Sequence, residues 1–156
     1  AELGVKPERN LFLSINYDGN FEESQGWAAL GATASVQGRM RRYVESQPAF
    51  AQASLAQAVE LALCTWAVGS LAQAASESTA AESSSTQLSE EQTEGDGSSL
   101  PDKAALLAHV RQTVAEKSLE CVLLERRGPG SAKYRALRPE ELGRLLPSAV
   151  SAPATT

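Results

Sequence analysis

One histidine, two cysteines and one methionine are all that the 156 residues offer to a soft or borderline metal ion. His109 has no second His, Cys or suitably placed acid at ligand spacing, so it reads as a surface histidine near Gln112 and Glu116. The same shortage leaves a Ser–His–Asp site with nothing but His109 on an exposed helix. No Gly–Lys–Ser/Thr follows Gly128–Pro129–Gly130, so that stretch is a turn and not a phosphate loop. Positive charge is not in excess either: 14 basic against 19 acidic residues give a net charge of −5, which argues against a nucleic-acid partner. These absences leave no residue assigned as catalytic, cofactor-binding or metal-ligating, and no cofactor is implied. There is no signal peptide, and no segment reads as a membrane span. Cys64 and Cys121 both sit in apolar runs and read as buried free thiols, in keeping with a reducing cytosol. The first residue is Ala1 and not Met, so the sequence reads as processed, cut, or taken from inside a longer one.

The acidic excess is localised. Residues 76–98 hold Glu77, Glu82, Glu90, Glu91, Glu94 and Asp96 and no basic residue. Without those six, the 19 acidic residues fall to 13, against 14 basic ones, so the remainder is close to neutral. Residues 76–101 are rich in Ser, Glu, Gln, Thr and Gly, and they bring too little apolar surface to offset their ordering entropy. They read as a disordered insertion in a single domain. It divides residues 1–75, a strand pair plus two helices, from residues 102–147, a helix, a strand pair and a closing helix. Residues 148–156 read as a flexible polar tail.

The longest apolar segment, residues 54–75, organises the rest. Ser54 with Gln57 three residues on is a capping-box pair for a helix start. Leu55, Val59, Ala62, Trp66 and Gly69 recur at helical spacing, and Leu61, Leu63, Cys64, Val68 and Leu71 cover most of the remainder. Only Gln57, Glu60 and Thr65 leave a polar strip, so this helix is expected to be buried on nearly every side. Its length and Ala/Gln content argue against a membrane span.

Ahead of it, residues 11–17 alternate, with Leu11, Leu13, Ile15 and Tyr17 on one strongly apolar face. Asp18–Gly19 is a hairpin turn pair. A second strand should run up to residues 27–31, where Gly31 lets the backbone approach a neighbour closely. Residues 33–45 read as a helix with Val36, Met40, Tyr43 and Val44 inward and Arg39, Arg41 and Arg42 on the wet side. After the insertion, Asp102 caps a helix to about residue 117, with Ala104, Leu107, Val110 and Val114 as its stripe. Residues 119–125 form a strand covered on both faces, residues 126–131 a turn, and residues 133–137 a partner strand. Pro139, Glu140 and Glu141 open a last helix that buries Leu142, Leu145 and Leu146 and stops at Pro147. The expected fold class is α+β, with all four strands in one antiparallel sheet or its continuation.

This order, with these residues, resembles the C-terminal half of a proteasome-type subunit. The resemblance rests on Asn10 through Gly19, Leu30–Gly31–Ala32, Tyr43 closing the first helix, Ser54–Leu55 with Ala58 and Val59, and Leu119–Glu120–Cys121–Val122. It implies part of an αββα sandwich of the N-terminal-nucleophile hydrolase type, assembled into stacked rings of seven for protein degradation. Ala1–Glu2–Leu3 is similar to the tail of the strand that precedes the turn in bacterial alpha-type subunits. The family's opening half, with its gate-forming N-terminus and the pocket lysine that receives the ATPase tail, has no counterpart among these residues.

Beta-type subunits of the family use an N-terminal threonine whose amine serves as base, and Ala1 cannot do this. The strand Tyr134–Arg135–Ala136–Leu137 and the helix after it resemble an alpha-type ending. The resemblance therefore implies a non-catalytic cytoplasmic subunit, with ring subunits, the absent half and a ring ATPase as partners. Two alternatives stay open: a catalytic threonine-type subunit with its nucleophile on a missing segment, and an unrelated small interaction protein.

Overall fold

A computed structural model describes residues 1–15, 17–48, 52–82, 99–127 and 133–150. Among them the fold is α+β, with four helices and two separate two-stranded antiparallel sheets. The order of the main elements is the expected one: strand, strand, helix, long helix, helix, strand, strand, helix.

The chain enters through a 3-10 turn, Pro7–Arg9, and the strand β1, Leu11–Ile15. Glu2 already pairs antiparallel with Leu11 through both backbone bonds, at 2.8 and 3.1 Å. The partner strand β2 is Phe21–Gln25, not residues 27–31 as expected. The short turn decides this. Gly19 takes φ +85°, and Asp18 accepts the Asn20 amide at 3.1 Å, so pairing starts at Ile15↔Phe21 and is used up at Leu11↔Gln25. Gly26 at φ +81° then turns the chain out of the ladder. The expectation of a close approach at Gly31 holds, but the neighbour is a helix: a Cβ there would lie 2.6 Å from the Gln37 nitrogen.

Helix α1, Ala34–Glu45, starts where Thr33 Oγ1 accepts the Val36 amide at 3.3 Å. Its buried residues are Val36, Met40, Tyr43 and Val44, the expected face. Arg41 and Arg42 are exposed and Arg39 is half-buried.

Helix α2, Leu55–Glu82, is 28 residues long, about 42 Å at 1.5 Å per residue. The capping box forms: Ser54 Oγ accepts the Gln57 amide and Gln57 Oε1 accepts the Ser54 amide, at 3.3 and 2.8 Å. The helix runs past residue 75, where the insertion was expected to begin. Low apolar content limits burial, not helicity. Ala74, Ala75, Ala80 and Ala81 are strong helix formers. Gln73 bonds Glu77 at 3.0 Å one turn on, and the Ser76 and Ser78 hydroxyls donate to carbonyls one turn back. The rest of the expected insertion, residues 83–98, lies outside the described residues.

The expectation that α2 is buried on nearly every side needs correction. Val59, Leu63, Cys64, Ala67, Val68 and Ala72 are buried, but Leu55 and Trp66 are exposed. Thr65, expected on the polar strip, is buried because its hydroxyl is satisfied by the Leu61 carbonyl at 2.8 Å. By length and composition alone, Leu55–Ser78 could cross a membrane, with a mean hydropathy of 1.4. Core helices of soluble proteins share that property.

Helix α3, Lys103–Glu116, is capped by Asp102, which accepts the Ala105 amide at 2.7 Å. It buries Leu106, Leu107 and Val110. Ala104, expected on the stripe, is exposed, and Leu106 takes the inner position. Strand β3, Val122–Leu124, pairs with β4, Tyr134–Ala136, and not with the first hairpin. Each strand bonds its neighbour in sequence, where loop closure costs least. The ladder extends one bond beyond each end, Glu125 to Lys133 and Leu137 to Cys121. Val122 is exposed, so β3 is not covered on both faces. Helix α4, Pro139–Leu145, buries Leu142, with Leu145 and Leu146 half-buried. The tail was expected to start at residue 148, but Val150 is buried in the main core, its amide bonded to the Pro147 carbonyl at 2.8 Å.

Helix α2 touches α1, α3 and α4. The main core joins Tyr43, Leu63, Cys64, Ala67, Val68, Leu106, Val110, Leu142 and Val150, and a smaller one joins Val36, Met40 and Ala72.

Candidate functional site

The first hairpin presents the wrong face to the solvent for a free-standing sheet. Directly opposed residues of an antiparallel pair share a face. The register Leu11↔Gln25, Leu13↔Glu23, Ile15↔Phe21 therefore puts Leu11, Leu13, Ile15, Phe21, Glu23 and Gln25 together. This is the apolar face expected from the alternation, yet Leu13, Ile15 and Phe21 are 41%, 74% and 65% exposed. Tyr17, at the turn, is fully exposed.

The opposite side of the hairpin carries Phe12, Ser14, Glu22 and Ser24, and its polar members approach α1 together with Glu23 and Gln25. Ser14, Glu22 and Ser24 line a cleft of about 220 Å3 with Gln37 and Arg41, and Arg41 approaches Glu22 at 3.8 Å. The signal for this was present in β2, whose Glu22 and Ser24 form a polar row facing Gln37 and Arg41. A single-layer reading of β1 missed it.

A second apolar surface is a groove of about 440 Å3 framed by α2, α3, residues 117–121 and α4. Val59, Leu63, Trp66, Val114, Leu119 and Cys121 line it, with Lys117 and Glu120 also along its wall.

His109 lies beside this groove and is half-buried, not on the open surface. Its ring stacks on Trp66, with centroids 5.6 Å apart and planes 16° apart, and Nε2 meets Ser70 Oγ at 3.0 Å. Among the described residues no carboxylate hydrogen-bonds to His109, so nothing fixes a tautomer that would make Ser70 a nucleophile. The contact fastens α3 to α2.

A third feature is a cleft of about 350 Å3 where the end of α1 meets the starts of α2 and α3. Tyr43, Glu60, Cys64 and Lys103 converge there, with Gln47, Gln52 and Gln57 around them. Lys103 pairs with Glu60. The Tyr43 hydroxyl and the Cys64 thiol share a hydrogen bond. Burial pushes both groups up, so neither ionises near neutrality and Cys64 is no thiolate nucleophile. Cys121 is free as well, and half-buried. Gly128–Pro129–Gly130 lies outside the described residues.

The Arg126 side chain ties the end of β3 to the segment ahead of β1. The Arg126 guanidinium, just beyond β3, donates to the Gly4 carbonyl and to Asn10 Oδ1, which also accepts the Gly4 amide at 3.2 Å. Among the described residues the fold thus exposes apolar surface, with no assembled reactive group beside it. No protein-family model, no curated protein and no solved structure matches this chain.

Proposed function

We propose that the chain is part of a non-catalytic, alpha-type ring subunit of a bacterial proteasome-type particle, a cytoplasmic scaffold controlling substrate entry for protein degradation. One observation carries this reading. The β1–β2 sheet turns its polar side to its own helix and leaves Leu13, Ile15 and Phe21 bare. A hairpin that sets one side toward α1 and an apolar row outward fits one half of an αββα sandwich, in which a second sheet packs about 10 Å away. The order of elements and the antiparallel Glu2↔Leu11 bridge ahead of the hairpin support the same reading. The covering sheet belongs to the rest of the subunit, and neighbouring ring subunits and a ring ATPase are the further partners.

The test is co-expression of this chain with the N-terminal half of a bacterial alpha-type subunit, followed by native mass spectrometry and negative-stain imaging. The expected result is a soluble complex that forms seven-fold rings. Added beta-type subunits should bring peptidase activity whose threonine-directed label falls on them alone. A sharp, monomeric unfolding transition of residues 1–156 at low concentration, with no complex formed, overturns the reading. Label on this chain would instead make it a peptidase.

A further inference from the structure

We draw no further inference here: the strongest candidate, the apolar groove between α2, α3 and residues 117–121 that Trp66 and Leu119 line, is an unpartnered apolar face, and nothing in the structure shows what covers it.

Discussion

Gly69 tests how α1 crosses α2. A Cβ at this position would lie 2.7 Å from Met40 Sδ, 3.1 Å from Met40 Cγ and 3.4 Å from Val36 Cγ1. Two effects oppose each other in Gly69→Ala. Alanine in a helix interior is favoured over glycine by about 1 kcal/mol. The new methyl must displace Met40, which is buried at the α1–α2 contact. Methionine is unbranched and adapts to irregular space, and a cleft of about 390 Å3 lined by Met40, Trp66 and Ser70 lies beside it. The displacement should therefore offset the propensity gain without greatly exceeding it, leaving Gly69→Ala within about 1 kcal/mol of the parent. Removing the obstacle releases the gain: in a Met40→Ala background the same substitution should stabilise by about 1 kcal/mol. Gly69→Leu cannot be absorbed in this way and should destabilise by about 1–3 kcal/mol. Urea unfolding of the four members of the cycle and of Gly69→Leu, followed by the fluorescence of Trp27 and Trp66, measures each value. If Gly69→Leu leaves the midpoint unchanged, or Gly69→Ala helps no more in the Met40→Ala background than in the parent, the helices do not cross at Gly69.

Other substitutions probe the remaining contacts. Leu106 is fully buried and Ala104 is exposed, so Leu106→Ala should lower stability by about 2–5 kcal/mol in urea while Ala104→Ser changes it by less than about 1. Asp102→Ala removes the cap of α3 and should cost about 1 kcal/mol, with Asp102→Asn restoring most of it by the same assay. Tyr43 and Cys64, with ordinary values of 10.0 and 9.0, are both held up by burial. Their contribution is therefore complete below about pH 9 and declines as pH rises toward the raised folded values, because the unfolded chain ionises first. Unfolding midpoints should fall above pH 9, and Tyr43→Phe should flatten that fall above pH 10. Glu141 is held below the carboxylate range, first by the Arg138 backbone amide, so its contribution is present at neutral pH and lost as pH falls through the lowered folded value. Glu141→Gln should make the acid limb of the stability profile shallower.

How much of this was legible in the residues depends on how local each determinant is. The caps at Ser54 and Asp102 and the apolar face of α1 need only a few neighbours in sequence, and all form where expected. The Asp18–Gly19 turn was also legible, but not the register: pairing starts at Ile15↔Phe21, one residue off what a two-residue turn at 18–19 would give, and this places β2 at Phe21–Gln25. Residues 27–31, apolar and small, had looked the better strand. The helix over residues 76–82 departs from the expected insertion because poverty in apolar residues does not exclude a helix, which alanine favours without help from packing.

The exposed apolar row was legible in a different sense. Alternation identified Leu11, Leu13 and Ile15 as one face, but period-2 patterning says only which residues travel together, not which side the helices take. That choice was made by β2 and α1, where Glu22 and Ser24 suit Gln37 and Arg41 and could not sit against an apolar layer without partners. Glu22 and Arg41 stay exposed at their contact while Ser14 and Ser24 are half-buried, and the opposite row leaves Ile15 and Phe21 exposed. On α2 likewise Leu55 and Trp66 remain exposed, Trp66 in the wall of the groove, although the helix is apolar nearly all round: composition says how much of a helix could be buried, not which of its residues are.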